Sequence, residues 1–397
     1  MIYAFYVFAS LLLLQGIFSL IEGVRFLTFI RRSLAEPLAP FSPKAAIIAP
    51  CKGIDNGLAE NLRALFDQDY SNYEIVFVIA SPEDQARPLI EKVISENPRI
   101  SAQLVIAAPD GTRSQKVNNL LAAIDITGPD CETFVFVDSD ARVHEHWLAA
   151  LVSPLANKRI GAATGYRWYL PERGGFWSAM LSAWNGAVAT TLGDHNHNFA
   201  WGGSTAILRE TFERARVRQF WHRAVSDDYA LTHAMQQSGL RISFVPACLI
   251  PSHEDASLKS LAEFTTRQVT ITRVYNTRVW WLGIISHSLF CAIFFGGIFL
   301  ALSGTSQSAT SVATVSMLGL IYLLGSGKGL LRLIAAREAI PSARQEITRL
   351  WWMFCLLWPM VSLLFLYNFL VSATTRRIIW RGVQYEMISP TETIVIR

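Results

Sequence analysis

Two aspartates follow a hydrophobic run in the segment FVFVDSDARV (134–143). The Val, Phe and Thr residues before them favour a buried strand, and a bare carboxylate is costly to bury without a cation or hydrogen-bond donors. We therefore expect the strand to deliver Asp138 and Asp140 to a site. Carboxylates in this spacing suit Mg²⁺ or Mn²⁺, because hard cations prefer oxygen ligands and leave positions for phosphate oxygens. Aspartate is also a common turn residue, so a simple turn is the alternative.

A second acidic pair opens a predicted helix in the segment AVSDDYALTHAMQQSG (224–239). Ser226 and one aspartate can satisfy the free N–H groups of a helix start, so capping is the simplest interpretation. Two adjacent carboxylates, Asp227 and Asp228, exceed that need. The functional interpretation is a general base that accepts a proton from an attacking hydroxyl.

Two further segments have features of a ligand site. Lys116 lies near the start of a predicted helix, where its charge opposes the helix dipole and a bound anion would explain it. An exposed lysine is the alternative. The segment FAWGGS (199–204), with Trp201, Gly202 and Gly203, predicts a loop where the backbone approaches a substrate, and an ordinary turn is the alternative.

A mainly parallel sheet is the predicted scaffold for these residues, because short β-type runs alternate with helical periodicity from 44 to 250. The predicted strands are 45–50, 74–80, 102–108, 133–138, 160–168 and 241–247. The predicted helices are about 57–67, 83–97, 115–126, 145–156, 175–190 and 227–239. Ligands of such sheets bind beyond the carboxyl ends of the strands, where the acidic segments would lie.

The chain also reads as a membrane protein, since 51% of its residues are hydrophobic. Residues 3–21 form an uncharged apolar run that is long enough to cross a bilayer and too long for a signal peptide, so we expect a retained anchor. Three more apolar runs cover 281–302, 309–326 and 350–372. The segment 327–349 is expected to form an amphipathic connector on the membrane surface, with a solvated loop helix as the alternative.

Cysteine spacing and net charge indicate the redox compartment and the kind of partner. The 5 cysteines include no CxxC pair, which predicts buried thiols in a reducing compartment. The net charge of +4, with arginines near the apolar runs, suits a membrane surface and argues against nucleic acid as a partner.

Together the motifs resemble the family 2 glycosyltransferases with a GT-A fold, which is Rossmann-like, and most closely the ceramide glucosyltransferase-like branch. The resemblance covers nearly the whole chain. It is carried by KGID (52–55), KVNNL (116–120), DSDARV (138–143), GGSTAILR (202–209), SDDYAL (226–231) and IIWRGVQYEM (378–387).

The resemblance implies a role for each candidate residue. The donor would be a UDP-sugar, held by Lys52, Asp55, Lys116, Asp138 and Asp140. Asp138 and Asp140 would also hold the Mg²⁺ or Mn²⁺ that bridges the diphosphate, and Asp55 would lie near the uracil and ribose. Asp228 would be the catalytic base of an inverting, in-line attack. Residues on the acceptor or interface side would be Asp227, Trp201, Gly202, Gly203, Arg267, Gln268 and Arg273.

One segment departs from the family pattern. In TTRQVTITRVY (265–275), Arg267 is kept, but Thr270 and Ile271 stand where the family has Arg-Trp. Arg273 is a candidate for a displaced guanidinium, and basic residues at a headgroup surface are the alternative. The missing Trp weighs against a processive synthase.

We expect an inverting transferase that moves one sugar, glucose, from a UDP-sugar to the hydroxyl of a membrane lipid of the ceramide or diacylglycerol kind. The alternatives are a processive polysaccharide synthase and a catalytically inactive lipid-binding membrane scaffold.

The protein is expected to be an integral, multi-pass membrane protein. Its predicted parts are an N-terminal transmembrane anchor (1–30), a GT-A domain (44–262), a membrane-proximal interface helix (263–280), a C-terminal membrane region of two to three apolar segments (281–372) and a tail (373–397).

Nucleotide sugars are cytosolic, so the GT-A domain should face the cytoplasm, with Arg31 and Arg32 inside. Three later crossings would put the tail outside. One of 309–326 and 350–372 is therefore expected to be re-entrant, with Pro359 as a break point in the latter.

Overall fold

The computed structural model describes residues 2–302 and 308–396. Residue 1 of the predicted anchor, residues 303–307 of the predicted C-terminal membrane region and residue 397 of the predicted tail lie outside the described part. The chain divides into two compact units. The membrane unit comprises Met1–Arg31, Tyr169–Thr190 and His253–Arg376, and the sheet unit comprises Arg32–Trp168, Thr191–Ser252 and Arg377–Arg397. Each unit is built from separate stretches of chain, whereas the sequence predicted contiguous domains.

The sheet unit contains a seven-stranded mixed sheet in the order β3-β2-β1-β4-β6-β5-β7. Its strands are β1 (Ala45–Pro50), β2 (Tyr73–Ile79), β3 (Ser101–Ile106), β4 (Thr133–Val137), β5 (Ile160–Leu170), β6 (Ser204–Leu208) and β7 (Arg241–His253). The four strands from β3 to β4 are parallel, and β6 runs antiparallel to both β4 and β5. All the predicted strands are present, but β6 was not predicted.

The helices alternate with the strands as the periodicity indicates. They are α1 (Ile2–Ala35), α2 (Leu58–Ala64), α3 (Arg87–Glu96), α4 (Gln115–Ile126), α5 (Trp147–Val152), α6 (Phe176–Ala189), α7 (Arg209–Arg214), α8 (Val217–Trp221), α9 (Asp227–Gln237), α10 (Leu258–Tyr275), α11 (Thr277–Leu302), α12 (Ser308–Ala339), α13 (Arg344–Arg349), α14 (Trp351–Cys355) and α15 (Trp358–Thr374). Successive strand residues face opposite sides of the sheet, so Ile47 joins one buried apolar cluster and Ile48 the other.

A second, three-stranded antiparallel sheet is formed by the tail, with strands β8 (Arg377–Trp380), β9 (Val383–Ser389) and β10 (Glu392–Val395). Ile378, Tyr385 and Met387 are buried. The Tyr385 hydroxyl accepts the N–H of Gln115, the first residue of α4, at 3.3 Å. The tail sheet is thereby attached to the helix that carries Lys116.

Three described helices are long and apolar enough to cross a membrane: Tyr3–Ala35, Thr277–Leu302 and Ser311–Ala339. The third has no boundary near residue 326, so the first part of the predicted connector continues this helix. The last apolar run is split between α14 and α15, with Pro359 in the first turn of α15. The five cysteines are free, four of them buried, as predicted.

Candidate active site

The predicted donor-site residues gather beyond the carboxyl ends of β1 and β4, which are parallel neighbours. Asp138 and Asp140 follow β4 directly, and Lys52 and Asp55 follow β1. The Ser139 hydroxyl donates to Asp55 Oδ2 at 3.2 Å, which joins the two loops. As the strand pattern predicts, the parallel strands bring acidic segments that are distant in the sequence to one edge of the sheet.

Lys116 links the two acidic pairs. It lies in the first turn of α4, where the N-cap Ser114 accepts the Val117 N–H at 3.2 Å. Its Nζ lies 2.7 Å from Asp138 Oδ1 and 3.4 Å from Asp227 Oδ2. Burial alone would lower the pKa of Lys116, but the charges of Asp138 and Asp227 raise it above its ordinary value. The ammonium group therefore stays charged.

Arg167, inside β5, is a site residue that sequence reasoning missed. Its Nη2 lies 2.7 Å from Asp140 Oδ1 and 3.3 Å from Asp138 Oδ2, and its Nη1 lies 3.1 Å from Asp140 Oδ2. The guanidinium also lies over the Trp201 ring, 4.9 Å from its centroid. Burial alone would raise the pKa of Asp140, but the charge and hydrogen bonds of Arg167 hold it below its ordinary value. An arginine within a strand of buried residues was the available signal.

The two aspartates at the start of α9 have different surroundings. Ser226 is the N-cap and its hydroxyl accepts the Tyr229 N–H at 3.2 Å, which confirms the capping interpretation for the serine. Asp227 is 4% exposed, and burial raises its pKa to about 7 although the charge of Lys116 lowers it. Asp228 is half-buried, and its Oδ1 accepts the Tyr229 N–H at 2.7 Å and the Ser226 hydroxyl. Of the two carboxylates, Asp228 is therefore the more accessible.

Gly202 and Gly203 lie where a side chain would not fit. A Cβ at Gly202 would lie 2.0 Å from Asp227 Oδ2 and 2.7 Å from Lys116 Nζ, and one at Gly203 would lie 2.7 Å from Asp138 Oδ2. The backbone here packs against the charged groups of the site. The predicted contact of these glycines and of Trp201 with an acceptor stays a prediction.

The tail adds a residue whose role the sequence did not predict. Arg381 donates from Nη1 to Asp55 Oδ1 at 2.8 Å and from Nη2 to Asp55 Oδ2 at 2.9 Å. Its Nη1 also donates to the Lys52 carbonyl at 3.1 Å, while Lys52 Nζ donates to the Arg381 carbonyl at 2.5 Å. The tail motif IIWRGVQYEM is part of the family resemblance, but nothing in its pattern indicates where the arginine lies.

The predicted acceptor residues Arg267, Gln268 and Arg273 lie on α10, in the membrane unit. The Arg267 guanidinium lies over the Phe264 ring, 5.4 Å from its centroid. Arg273 Nη1 donates to the Ser372 carbonyl in the last turn of α15 at 2.6 Å. The described partners of Arg273 are thus those of a helix-capping side chain.

The assignment of Asp138 and Asp140 as ligands of a divalent cation stays a prediction. Within residues 2–302 and 308–396, no group of three or more His, Cys, Asp and Glu side chains is arranged to hold a metal ion. A cation here would therefore need ligands from a bound molecule in addition to these two side chains, as Mg²⁺ does when it shares carboxylate and phosphate oxygens.

The fold and this charged sheet edge define the class of protein as a GT-A glycosyltransferase. A mannosyltransferase from Pyrobaculum calidifontis, in complex with GDP-Man and Mn²⁺, has a similar structure with a TM-score of 0.50 at 15% identity. The similarity covers 93% of this chain and 99% of that chain. At this identity the likeness shows the fold, and the predicted α/β GT-A class is confirmed.

Sequence comparison identifies the family. The family described as glycosyl transferase family 21 matches residues 11–393, so the chain belongs to glycosyl transferase family 21. The sequence motifs resemble the broader family 2, and the match assigns the chain to family 21 instead. The predicted ceramide glucosyltransferase-like branch is confirmed.

Several curated relatives match part of the chain. Ceramide glucosyltransferase 1 of Caenorhabditis elegans is 31% identical over 84 residues, which is 21% of this chain and 18% of the relative. The ceramide glucosyltransferase of Gibberella zeae is 32% identical over 103 residues, 24% of this chain and 20% of the relative. That of Candida albicans is 34% identical over 86 residues, 19% of this chain and 16% of the relative. The chain thus spans about a fifth or less of the length of these relatives.

Proposed function

We propose that this protein is an inverting, membrane-bound glycosyltransferase that moves one sugar from a UDP-sugar to the hydroxyl of a membrane lipid. One observation carries the proposal: the ammonium of Lys116 lies 2.7 Å from Asp138 Oδ1 and 3.4 Å from Asp227 Oδ2, so residues of the two acidic motifs lie around one cation. Membership of family 21 and three membrane-length helices support a lipid acceptor.

The donor is proposed to bind at the edge formed by β1 and β4. Its diphosphate becomes more negative as the bond to the sugar breaks, so fixed positive groups stabilise the transition state. Lys116 and Arg167 already lie on the carboxylates at this edge and are held by them in defined positions. These two cations orient the diphosphate without a large rearrangement.

A divalent cation fits the carboxylates that the chain offers. Asp138 and Asp140 provide only hard oxygen donors, and each carboxylate oxygen keeps a second lone pair beside its Lys116 or Arg167 hydrogen bond. Bound there, Mg²⁺ or Mn²⁺ would supply Lewis-acid stabilisation of the departing diphosphate.

Asp228 is proposed as the general base. The acceptor oxygen forms a bond to the anomeric carbon, the bond from that carbon to the diphosphate oxygen breaks, and the hydroxyl proton passes to the Asp228 carboxylate. Its partial exposure leaves it accessible, and the Tyr229 N–H and the Ser226 hydroxyl fix its Oδ1. Asp227 is buried against Lys116 and is better suited to positioning that ammonium.

Glucose and a ceramide-like or diacylglycerol-like lipid are the proposed substrates, supported by relatives that are named ceramide glucosyltransferases. Trp201, Gly202 and Gly203, together with Arg267 and Gln268, remain the proposed acceptor-side residues. The substituted pair at Thr270 and Ile271 favours addition of one sugar over a growing polymer.

The sheet unit is proposed to face the cytoplasm, where nucleotide sugars are made. The assignment of the tail to the same compact unit as the sheet supports a location of both on one side of the membrane. An even number of crossings must therefore separate them, and α11 and α12 supply two. The 17-residue α15 spans about 25 Å at ~1.5 Å per residue, less than a bilayer core of about 30 Å, which supports a re-entrant or interfacial helix.

A product assay tests the proposal. Membranes that contain the protein would receive labelled UDP-sugars, Mg²⁺ or Mn²⁺ and mixed lipid acceptors, beside the variant Asp228→Asn. We expect one glycolipid product and a loss of about 10²- to 10⁴-fold in the variant, the usual contribution of a general base. Asp125→Asn, which changes a surface carboxylate paired with Arg218, is the matched control and should retain activity.

Three results would contradict the proposal. Product that grows beyond one sugar would indicate a polymer synthase. Full activity in Asp228→Asn would remove this residue as the base. No transfer from any donor by folded protein would support the inactive scaffold.

A further inference from the structure

We propose that Arg381 of the tail is a donor-binding residue whose guanidinium contacts the diphosphate of the nucleotide sugar, and that Asp55 positions it. This inference rests on the proposed function, because it assumes a nucleotide-sugar donor at the edge formed by β1 and β4. Nothing in the motif pattern gives this role to the tail.

Arg381 reaches the site from a tight turn. It lies with Gly382 between β8 and β9, and both residues have positive φ, 48° and 80°. Positive φ at both central positions is typical of the two-residue hairpin turns that fit the strand twist. A left-handed conformation is unfavourable for a residue with a side chain, so other contacts must hold the arginine there.

The loop after β1 supplies those contacts. Asp55 accepts two parallel hydrogen bonds from the guanidinium, and Lys52 exchanges one hydrogen bond in each direction with Arg381. Paired N–H donors on a carboxylate fix the plane of a guanidinium as well as its position. Asp55 therefore acts as the positioning group of Arg381.

The bonds to Asp55 and Lys52 leave part of the guanidinium available. An arginine has five N–H donors, and the described contacts of Arg381 use two on Nη1 and one on Nη2. The Nε–H and the second Nη2 hydrogen are not used by any described residue. The side chain is 40% exposed, so a ligand can reach these donors.

The charges of the donor edge act on this guanidinium. Burial alone would lower the pKa of Arg381, but Asp55, Asp140 and Asp138 together raise it above its ordinary value. Asp55, which holds the guanidinium, also accepts the hydroxyl of Ser139, the residue between the two aspartates of the D-x-D motif, at 3.2 Å. The guanidinium therefore lies beside the edge where the diphosphate would bind, and its geometry matches phosphate oxygens.

The family resemblance implies a different role for Asp55, in which it contacts the uracil and ribose directly. In the structure both of its carboxylate oxygens accept hydrogen bonds from Arg381. The two roles predict different ligand selectivity. A positioning role affects ligands that carry phosphate, whereas a direct contact affects the nucleoside as well.

The test is to measure the affinities of UDP and of uridine for the full-length protein in detergent, by calorimetry or competition with a labelled nucleotide. Arg381→Ala should weaken UDP binding roughly ten- to a hundredfold, as expected for charge-assisted hydrogen bonds. Uridine affinity should change less than about threefold, since uridine has no phosphate. Arg381→Lys should recover part of the UDP affinity.

Arg377→Ala is the matched control. Arg377 lies on the same hairpin, forms an ion pair with Glu386 at 3.0 Å and is 60% exposed, so its loss should leave both affinities unchanged. Asp55→Asn should show the pattern of Arg381→Ala, with UDP weakened and uridine unchanged. Thermal unfolding of each variant checks that the protein is folded.

Equal loss of UDP and uridine affinity in Arg381→Ala would assign the residue a purely structural role and overturn the inference. Unchanged UDP affinity in Arg381→Ala, in protein that still transfers sugar, would also overturn it while leaving the proposed function intact. Loss of uridine affinity in Asp55→Asn would overturn the positioning role of Asp55. If the folded wild type did not bind UDP, the proposed UDP-sugar donor would fail, and the inference with it.

Discussion

The sheet edge and helix α10 both contain charged side chains that the sequence assigned to the site, carboxylates in one and arginines in the other, but the partners of these side chains differ. At the sheet edge Asp138 and Asp140 face the cations Lys116 and Arg167, which come from separate elements. On α10, Arg273 instead bonds to backbone carbonyls at the end of α15 and lies over the Trp280 ring. The first arrangement concentrates charge where a ligand can bind, and the second joins helices.

This difference shows that charge at a protein site has to be interpreted through its partners. A cation held by two carboxylates keeps donors for an anionic ligand, because the guanidinium and ammonium groups have more than one N–H. A cation held by helix carbonyls stabilises the helix end. Substitutions in the two regions should therefore change different measured quantities.

The largest effect is expected for Lys116→Met, which removes the cation buried between Asp138 and Asp227. Breaking a buried ion pair leaves an uncompensated charge and should lower the free energy of unfolding by about 3 kcal/mol. Transfer should be lost as well. Lys44→Met is the control, because Lys44 pairs at 2.5 Å with a 64% exposed Asp130 and should cost about 1 kcal/mol or less. Equal unfolding temperatures for both variants would contradict the comparison.

A smaller effect is expected for Asp227→Asn, which should change how the stability of the protein depends on pH. Burial raises the pKa of Asp227 to about 7, against about 3.9 in an unfolded chain. Between these values the folded protein keeps a proton that the unfolded chain has lost, so stability is greatest at low pH and falls as the pH rises through about 7. Unfolding temperatures at pH 5 and pH 8 should differ more in the wild type than in the variant, and a larger difference in the variant would contradict the sign.

The smallest effect is expected for Arg273→Ala. Loss of its hydrogen bonds to the end of α15 should lower the free energy of unfolding by about 1 kcal/mol. UDP affinity should stay within about twofold of the wild type, because a capping side chain does not contact the donor. Arg278→Ala, at an exposed position of α11, is the control and should change neither quantity. A large loss of UDP affinity in Arg273→Ala would show that α10 also serves the donor.

Much of the donor edge could be predicted from the sequence, because local patterns determine it. The run before Asp138 reads as a strand, and the Ser-Asp-Asp sequence at 226–228 reads as a helix start. Both are where the pattern predicts, and the parallel strands bring them to one edge. Lys116 likewise lies in the first turn of a helix whose bounds were predicted from periodicity alone.

The features that could not be predicted from the sequence depend on contacts between residues that are far apart in the sequence. Arg167 reads as part of a strand, and only the structure shows that its side chain points to Asp140. The strand β6 is short and follows two glycines, so it reads as a loop until its pairing with β4 is known. The membrane topology was ambiguous for the same reason, because the assignment of the tail to the sheet unit is a long-range property.

The bond between Arg381 and Asp55 also has a consequence for how the enzyme is made. The two residues are 326 positions apart, so the ribosome must synthesise every membrane helix between them before the first loop can receive its partner. A nascent chain whose seven-stranded sheet has already left the ribosome therefore still lacks Arg381. A nascent chain cannot form the contact between Arg381 and Asp55 before translation has passed residue 381.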